Sequence, residues 1–227
     1  KKRQRRRPKL PGIQRSRKLM ATTCGFRRAL DGICVGTETE IAPALVGVMI
    51  ENSYDAWPLA GLFDARVVYE APVEGDIPRF FAIYPIESDV PKVGPVRSAR
   101  PYYLDWAREY NSLIYAHVGG SPAALAELER ARNFIDLNEF FKGRFFWRDR
   151  TRFAPHNVYI SSALWQEAKQ AFAAISSNSE IFGHPAVSPW EFADISECVE
   201  NCVRDIKADF AGSPYILIDF PAFWSGV

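Results

Sequence analysis

The hydrophobic pattern of this chain begins with Ala44–Ile50 (Ala-Leu-Val-Gly-Val-Met-Ile), an unbroken apolar run of strand length. Such a run marks a strand covered on both faces rather than a half-exposed one. Arg66–Ala71 and Arg79–Ile86 read as the second and third strands. The turn-like Pro72-Val73-Glu74-Gly75-Asp76 between them is too short for a crossover and predicts an antiparallel pair. Ser112–Val118 reads as a fourth strand.

Helical spacing puts Tyr103, Leu104, Ala107 and Tyr110 on one face of Pro101–Tyr110, and Leu164, Ala168, Ala171, Phe172 and Ile175 on one face of Ser161–Ile175. Ala123–Ala131 reads as helix, with Ser121 as N-cap and Pro122 at its first position. Phe153–Tyr159 looks like a loop entering a short strand. The predicted fold class is α/β, of α+β-like character: a mixed sheet of about four or more strands with helices packed on it. The helices at 101–110 and 121–131 are expected on that sheet.

Composition divides the chain. Residues 1–28 hold 12 Lys or Arg and no acid, whereas the remaining residues carry 16 basic against 27 acidic side chains. Residues 1–27 therefore read as a basic, disordered leader, 28–190 as the α/β domain, and 191–227 as a linker and the start of an incomplete second domain. Ser176–Trp190 is linker-like in composition, and Pro214–Phe220 reads as a strand whose partner is missing. A basic leader attracts phosphates, but the acidic body would repel a polyanion, so nucleic acid is not the expected partner. No apolar run of about 18 residues exists, so no transmembrane segment is expected. Leu19–Gly25 has a small-residue character ahead of Cys24, faintly like a lipoprotein cleavage site but without the preceding apolar segment. Four cysteines, Cys24, Cys34, Cys198 and Cys202, allow three disulfide pairings or free thiols.

Candidate chemistry centres on Gly94-Pro95-Val96-Arg97-Ser98-Ala99-Arg100-Pro101, which joins a strand to a helix. Two guanidiniums offer planar forks of donors that match a carboxylate or phosphate, and a helix start adds amide donors. The competing use is internal, with Glu70, Glu74 and Asp105 as partners. Arg100, at the helix start, is expected to be paired with Glu70 or Glu74, and Arg97 to be free to swing toward solvent or a ligand. Gly119-Gly120-Ser121 is a second strand-to-helix turn that can admit an anion, although it lacks the P-loop ending. Its bland reading is a tight turn. His117 and His156 are candidate acid–base groups, or else buried hydrogen-bonding residues. Glu70 and Glu74 are a candidate carboxylate pair. No nucleophile elbow appears. No ligand spacing marks a metal site, and no cofactor is expected.

Val48–Asn52, Val68–Ala71, Val73–Gly75, Gly94–Pro101, His117–Pro122, Asp136–Asn138, Phe146–Arg148 and Ala154–Asn157 together, over roughly residues 28–175, resemble the YerB-like bacterial lipoproteins, a family known mainly as a domain of unknown function. The resemblance implies a mixed α/β amino-terminal domain in an extracytoplasmic, membrane-anchored protein, followed by a more β-rich second domain that is truncated here. It brings no catalytic residues with it. The expected function is an envelope-associated, non-enzymatic protein. It would bind an anionic or polar ligand, such as a cell-wall fragment or an anionic small molecule, or a protein partner. Arg97, Ser98, Arg100, Gly119, Gly120, Ser121, His156 and Asn157 are the expected binding residues. The alternative is a hydrolase or transferase of a cell-wall polymer, using histidine and carboxylate groups.

Overall fold

The structure, a computed structural model, describes residues 24–110 and 112–174. Residues 1–23 of the expected leader, the linker at 176–190, the strand at 214–220 and cysteines 198 and 202 lie outside the described residues. The chain opens with a two-stranded ribbon, β1 (Phe26–Arg27) and β2 (Cys34–Val35), cross-linked by a Cys24–Cys34 disulfide. The Cys24 sulfur is thus engaged within the domain.

Five strands form the main sheet: β3 (Leu45–Glu51), β4 (Val67–Pro72), β5 (Pro78–Pro85), β6 (Leu113–His117) and β7 (Phe134–Asn138). Their order is β4-β5-β3-β6-β7. β4 and β5 pair antiparallel, as do β5 and β3, whereas β3–β6 and β6–β7 are parallel. The mixed sheet and the antiparallel β4–β5 pair match the pattern read from the sequence. β7 is a fifth strand that the Phe-rich composition of Phe134–Phe146 conceals.

β3 is buried along its whole length because it is the central strand, with helices on both faces. One face meets α1 (Pro101–Ala107) and α2 (Pro122–Arg130): Leu45, Met49, Phe81, Ile83, Leu113 and Tyr115 pack against Tyr103, Leu104, Ala107, Ala124 and Leu128. After the four-residue α3 (Glu139–Lys142), a short ribbon follows, made of β8 (Trp147–Arg148) and β9 (Val158–Tyr159). The final helix, α4 (Ser162–Ala173), covers the opposite face, where Val46, Val48, Ile50, Tyr84, Ile114 and Leu137 meet Trp165, Ala168 and Phe172. Alternate residues of β3 therefore supply two separate cores, as the two-residue period of a strand requires.

Candidate functional site

β3 and β6 run side by side only over Val46–Val48 and Ile114–Ala116. Beyond that point they part, and the segment 94–100 enters between them. Arg97 N donates to Met49 O at 2.9 Å, and Glu51 N donates to Pro95 O at 2.9 Å. On the other side, Val118 N donates to Arg97 O at 3.0 Å, and Ala99 N donates to Gly119 O at 3.0 Å. Gly94 begins the wedge at φ +143°, and a side chain there would strike Val158 O at 2.8 Å. The crevice at the carboxyl ends of parallel strands is where open α/β sheets take ligands. Here the chain fills that crevice itself and presents Arg97, Ser98 and Arg100 from it.

Glu51, the last residue of β3, is the hub of this end of the sheet. Its side chain is only 5% exposed. Its Oε2 accepts a hydrogen bond from His156 Nδ1 at 2.8 Å, the tautomer that a carboxylate partner favours. Arg97 Nε lies 3.1 Å from the same oxygen, near enough for ion pairing but out of line for a hydrogen bond, and it has no other partner. Arg97 is thus not free in the way the loop position suggests: three quarters of it is buried against an acid absent from the sequence-based partner list. Its two terminal nitrogens nevertheless make no hydrogen bond to any described residue.

Two more guanidiniums stand near. Arg79, opposite Glu51 in the β3–β5 register, is 6% exposed. It donates from Nη1 to Ser98 O at 2.8 Å, while its Nε is buried without a partner. Burial, then the charges of Arg100 and Arg97, lower its pKa. Arg100 is held by both oxygens of Glu74, at 2.8 and 2.5 Å, and donates to Ala99 O. The Arg100 hydrogen bonds hold the Glu74 carboxyl down at a pKa of about 2. Glu70 instead accepts from Asn52, whose own oxygen accepts from the Trp57 indole. Glu70 and Glu74 therefore serve different partners. Asp105 pairs with Arg108. Tyr115, fully buried on β6, has a hydroxyl without a partner, and desolvation raises its pKa far above the ordinary phenol value.

His117 lies elsewhere. It is fully buried, with Nδ1 2.7 Å from Gly119 O and Nε2 2.7 Å from Asp136 Oδ1. Both ring nitrogens are consumed in fixing the turn after β6. Gly119 N donates to Asn138 Oδ1 and Ser121 N to Ala99 O, and the Ser121 hydroxyl caps α2. The Gly119–Ser121 turn thus spends these amides internally. Asn157 accepts from Arg148 and donates to Arg152 O, which ties its loop together. Among the described residues, no three His, Cys, Asp or Glu side chains gather as a metal-holding group.

Beside His156 opens a cleft of about 780 Å³ between residues 55–60 and the loop 149–156. Trp57 and Phe153 stand 58% and 91% exposed at its walls. Its two lining cations, Lys92 and Arg152, are engaged internally. Lys92 binds Asp149 at 2.6 Å and sits over the Tyr159 ring, and Lys92 and Thr151 hold the Asp149 carboxyl below its usual pKa. Arg152 spends its donors on the carbonyls of Asp55, Trp57 and Pro58 and on the Tyr159 hydroxyl, clamping one wall to the other. The structure brings Arg97 and His156 together through Glu51, with His156 alone of the three lining this cleft, pairs Arg100 with Glu74, and encloses His117 at the turn after β6. Glu51, Arg79, Trp57 and Phe153 are the members that sequence reasoning missed. Glu51 carried a signal, an acid closing an apolar central strand.

A protein family described as "Protein of unknown function (DUF3048) N-terminal domain" matches residues 32–176. The chain belongs to this family. It is 41% identical over 117 residues to YerB of Bacillus subtilis (strain 168), a protein that carries a lipoprotein designation. That match covers 51% of this chain and 34% of the relative. The crystal structure of YerB from Bacillus subtilis superposes with a TM-score of 0.62 at 30% identity, covering 74% of this chain and 54% of the solved one. The chain thus spans about a third of the curated relative's length and about half of the solved chain. No helix among the described residues is long and apolar enough to cross a membrane.

Proposed function

We propose that this domain is an extracytoplasmic, envelope-associated binding module, non-enzymatic, that holds an anionic or polar ligand of the cell wall at the Arg97 end of the cleft. The observation that carries the reading is the Arg97 guanidinium. It is largely buried, held near a single acid, and makes no hydrogen bond to a described residue. The buried Nε faces the Glu51 carboxylate, and the two terminal nitrogens, with no partner among the described residues, remain available to a partner from outside the chain. A carboxylate or phosphate fits a planar fork of donors. The lipoprotein designation of the 41%-identical relative and the Cys24–Cys34 disulfide both favour an oxidising, extracytoplasmic setting.

The test is co-sedimentation with purified cell-wall sacculi. Wild-type protein is expected in the pellet, and Arg97→Ala at less than half that amount. Equal pelleting of the two proteins overturns the reading.

A second reading, an acid–base enzyme acting on a cell-wall polymer, draws on the Glu51–His156 pair. Glu51 holds Nδ1 and leaves Nε2 without a partner among the described residues, at the cleft lining. That is how a general base is oriented. Release of soluble fragments from sacculi by wild-type protein, lost in His156→Ala, supports it. No release with wild-type protein removes it.

A further inference from the structure

We propose that the cleft beside His156 is a glycan subsite, in which a sugar ring stacks on Trp57 and Phe153 and an acidic substituent of that sugar reaches Arg97. The inference rests on the binding reading above and names its ligand class.

Three observations carry it. The first is size. At about 780 Å³, the cleft lies within the range of roughly 300–1,000 Å³ typical of small-molecule sites. It has room for a disaccharide. The second is the character of the walls. Trp57 and Phe153 are large aromatic side chains left 58% and 91% exposed, and both line the same cleft. The Trp57 indole is also fixed, since its Nε1 donates to Asn52 Oδ1 at 3.1 Å. A held aromatic face meets the C–H face of a sugar ring at little entropic cost.

The third is charge. The two cations of the lining, Lys92 and Arg152, are already spent, one on Asp149 and the other on backbone carbonyls and a phenol. A polyanion such as a nucleotide would find no free cation in the cleft itself. What remains unspent is suited to hydroxyl groups: the Asp55 carboxylate, which accepts from ring hydroxyls, and His156 Nε2. Arg97, whose terminal nitrogens are unused among the described residues, lies 3.1 Å from the Glu51 oxygen that His156 also binds, and so neighbours the His156 end of the cleft. A ligand that is neutral along its body and acidic at one end satisfies every group at once. An amino-sugar disaccharide with a single carboxylate has that form.

The experiment is calorimetric titration of the whole chain with three probes. These are N,N′-diacetylchitobiose, the disaccharide of N-acetylglucosamine and N-acetylmuramic acid, and sodium lactate. The second probe differs from the first chiefly by one lactyl carboxylate, and the third supplies that carboxylate alone. Both disaccharides are expected to bind, the acidic one about tenfold more tightly. Trp57→Ala and Phe153→Ala are each expected to weaken both disaccharides about tenfold. Phe153 is almost wholly exposed, so its removal leaves the fold intact. Arg97→Ala is expected to leave chitobiose unchanged and to bring the acidic disaccharide down to it.

If neither disaccharide binds, or if both aromatic variants bind as wild type does, the glycan proposal is overturned. In that case lactate binding that is lost in Arg97→Ala would still uphold the anion reading by itself. If the two disaccharides bind equally, depend on Trp57 and ignore Arg97, the glycan subsite stands and the anion reading fails.

Discussion

Removing the Glu51 charge is the sharpest test of how this site is built. Glu51→Gln keeps the shape of the side chain and one acceptor oxygen but leaves Arg97 without a counter-charge. Breaking a fully buried pair costs about 3–5 kcal/mol, because an uncompensated charge stays in the interior. An exposed pair is worth about 0–1 kcal/mol. The Glu51 side chain is 5% exposed, but Arg97 reaches water with 22% of its side chain and can recover part of its hydration. The expected loss is therefore intermediate, about 2–3 kcal/mol. For a domain of this size that is a fall in melting temperature of roughly 4–12 °C.

The matched control is Glu74→Gln. Its partner Arg100 is bonded at shorter distances, 2.5 and 2.8 Å, yet the Glu74 side chain is 69% exposed. Water replaces the lost bonds, and the expected cost stays at about 0–1 kcal/mol. Urea unfolding at constant m-value measures both. Crossing Glu51→Gln with Arg97→Ala should give a coupling of about 0.5–3 kcal/mol, as neighbours in one network show. If Glu74→Gln costs as much as Glu51→Gln, distance outweighs burial here and the reasoning fails.

The acid limb of the stability curve carries a Glu74 signature. Its folded pKa is depressed to about 2 from the usual 4.5, so its contribution is present above pH 4.5 and is lost as pH falls toward 2. With the group so exposed, the effect is about 1 kcal/mol or less. Stability measured from pH 5 to pH 2 should fall less steeply in Glu74→Gln, and parallel curves would count against the assignment. Gly47→Ala tests the closeness of β3 to Phe81, whose buried ring carbon Cζ would stand 2.5 Å from the new methyl. Overpacking there should cost about 1–3 kcal/mol in urea unfolding, and a neutral result would mean that the ring can move. His117→Ala should lower stability through the turn it fixes while leaving sacculus binding by the folded protein unchanged, and selective loss of binding would make His117 part of the site.

The sheet was legible because its signals are local. The β3 run has no polar residue until its end, and the β4–β5 hairpin announces itself by a short turn with two acids. β7 escaped because Phe134-Ile135-Asp136-Leu137-Asn138 alternates and is then continued by Glu139-Phe140-Phe141-Lys142, so that strand and helix merge into one Phe-rich stretch. Nothing in that composition marks the boundary. The decisive local feature is Asn138, which ends the strand and caps the helix by accepting from Phe140 N. Asparagine is a strong N-cap residue, so the signal was present but carried by a single position.

The candidate site was legible only in part, and the roles of its two arginines show why. Position along the chain suggests that Arg100, fixed beside Pro101, is the structural one and that Arg97, inside the loop, is free. Each depends on something the loop sequence does not contain. Arg100 does find Glu74, as expected, but Glu74 lies on an exposed 3-10 turn, so the pair is well formed and weakly stabilising. Arg97 meets Glu51 because the wedge segment runs beside β3, a pairing between residues far apart in sequence. His156 reaches the same carboxylate from more than a hundred residues away. The hub is therefore a product of topology: the splay of β3 and β6 creates the crevice, and the chain that fills it decides which acid each guanidinium meets. The loop motif advertised its donors. Only the sheet could specify that one of them would lie three-quarters buried beside Glu51.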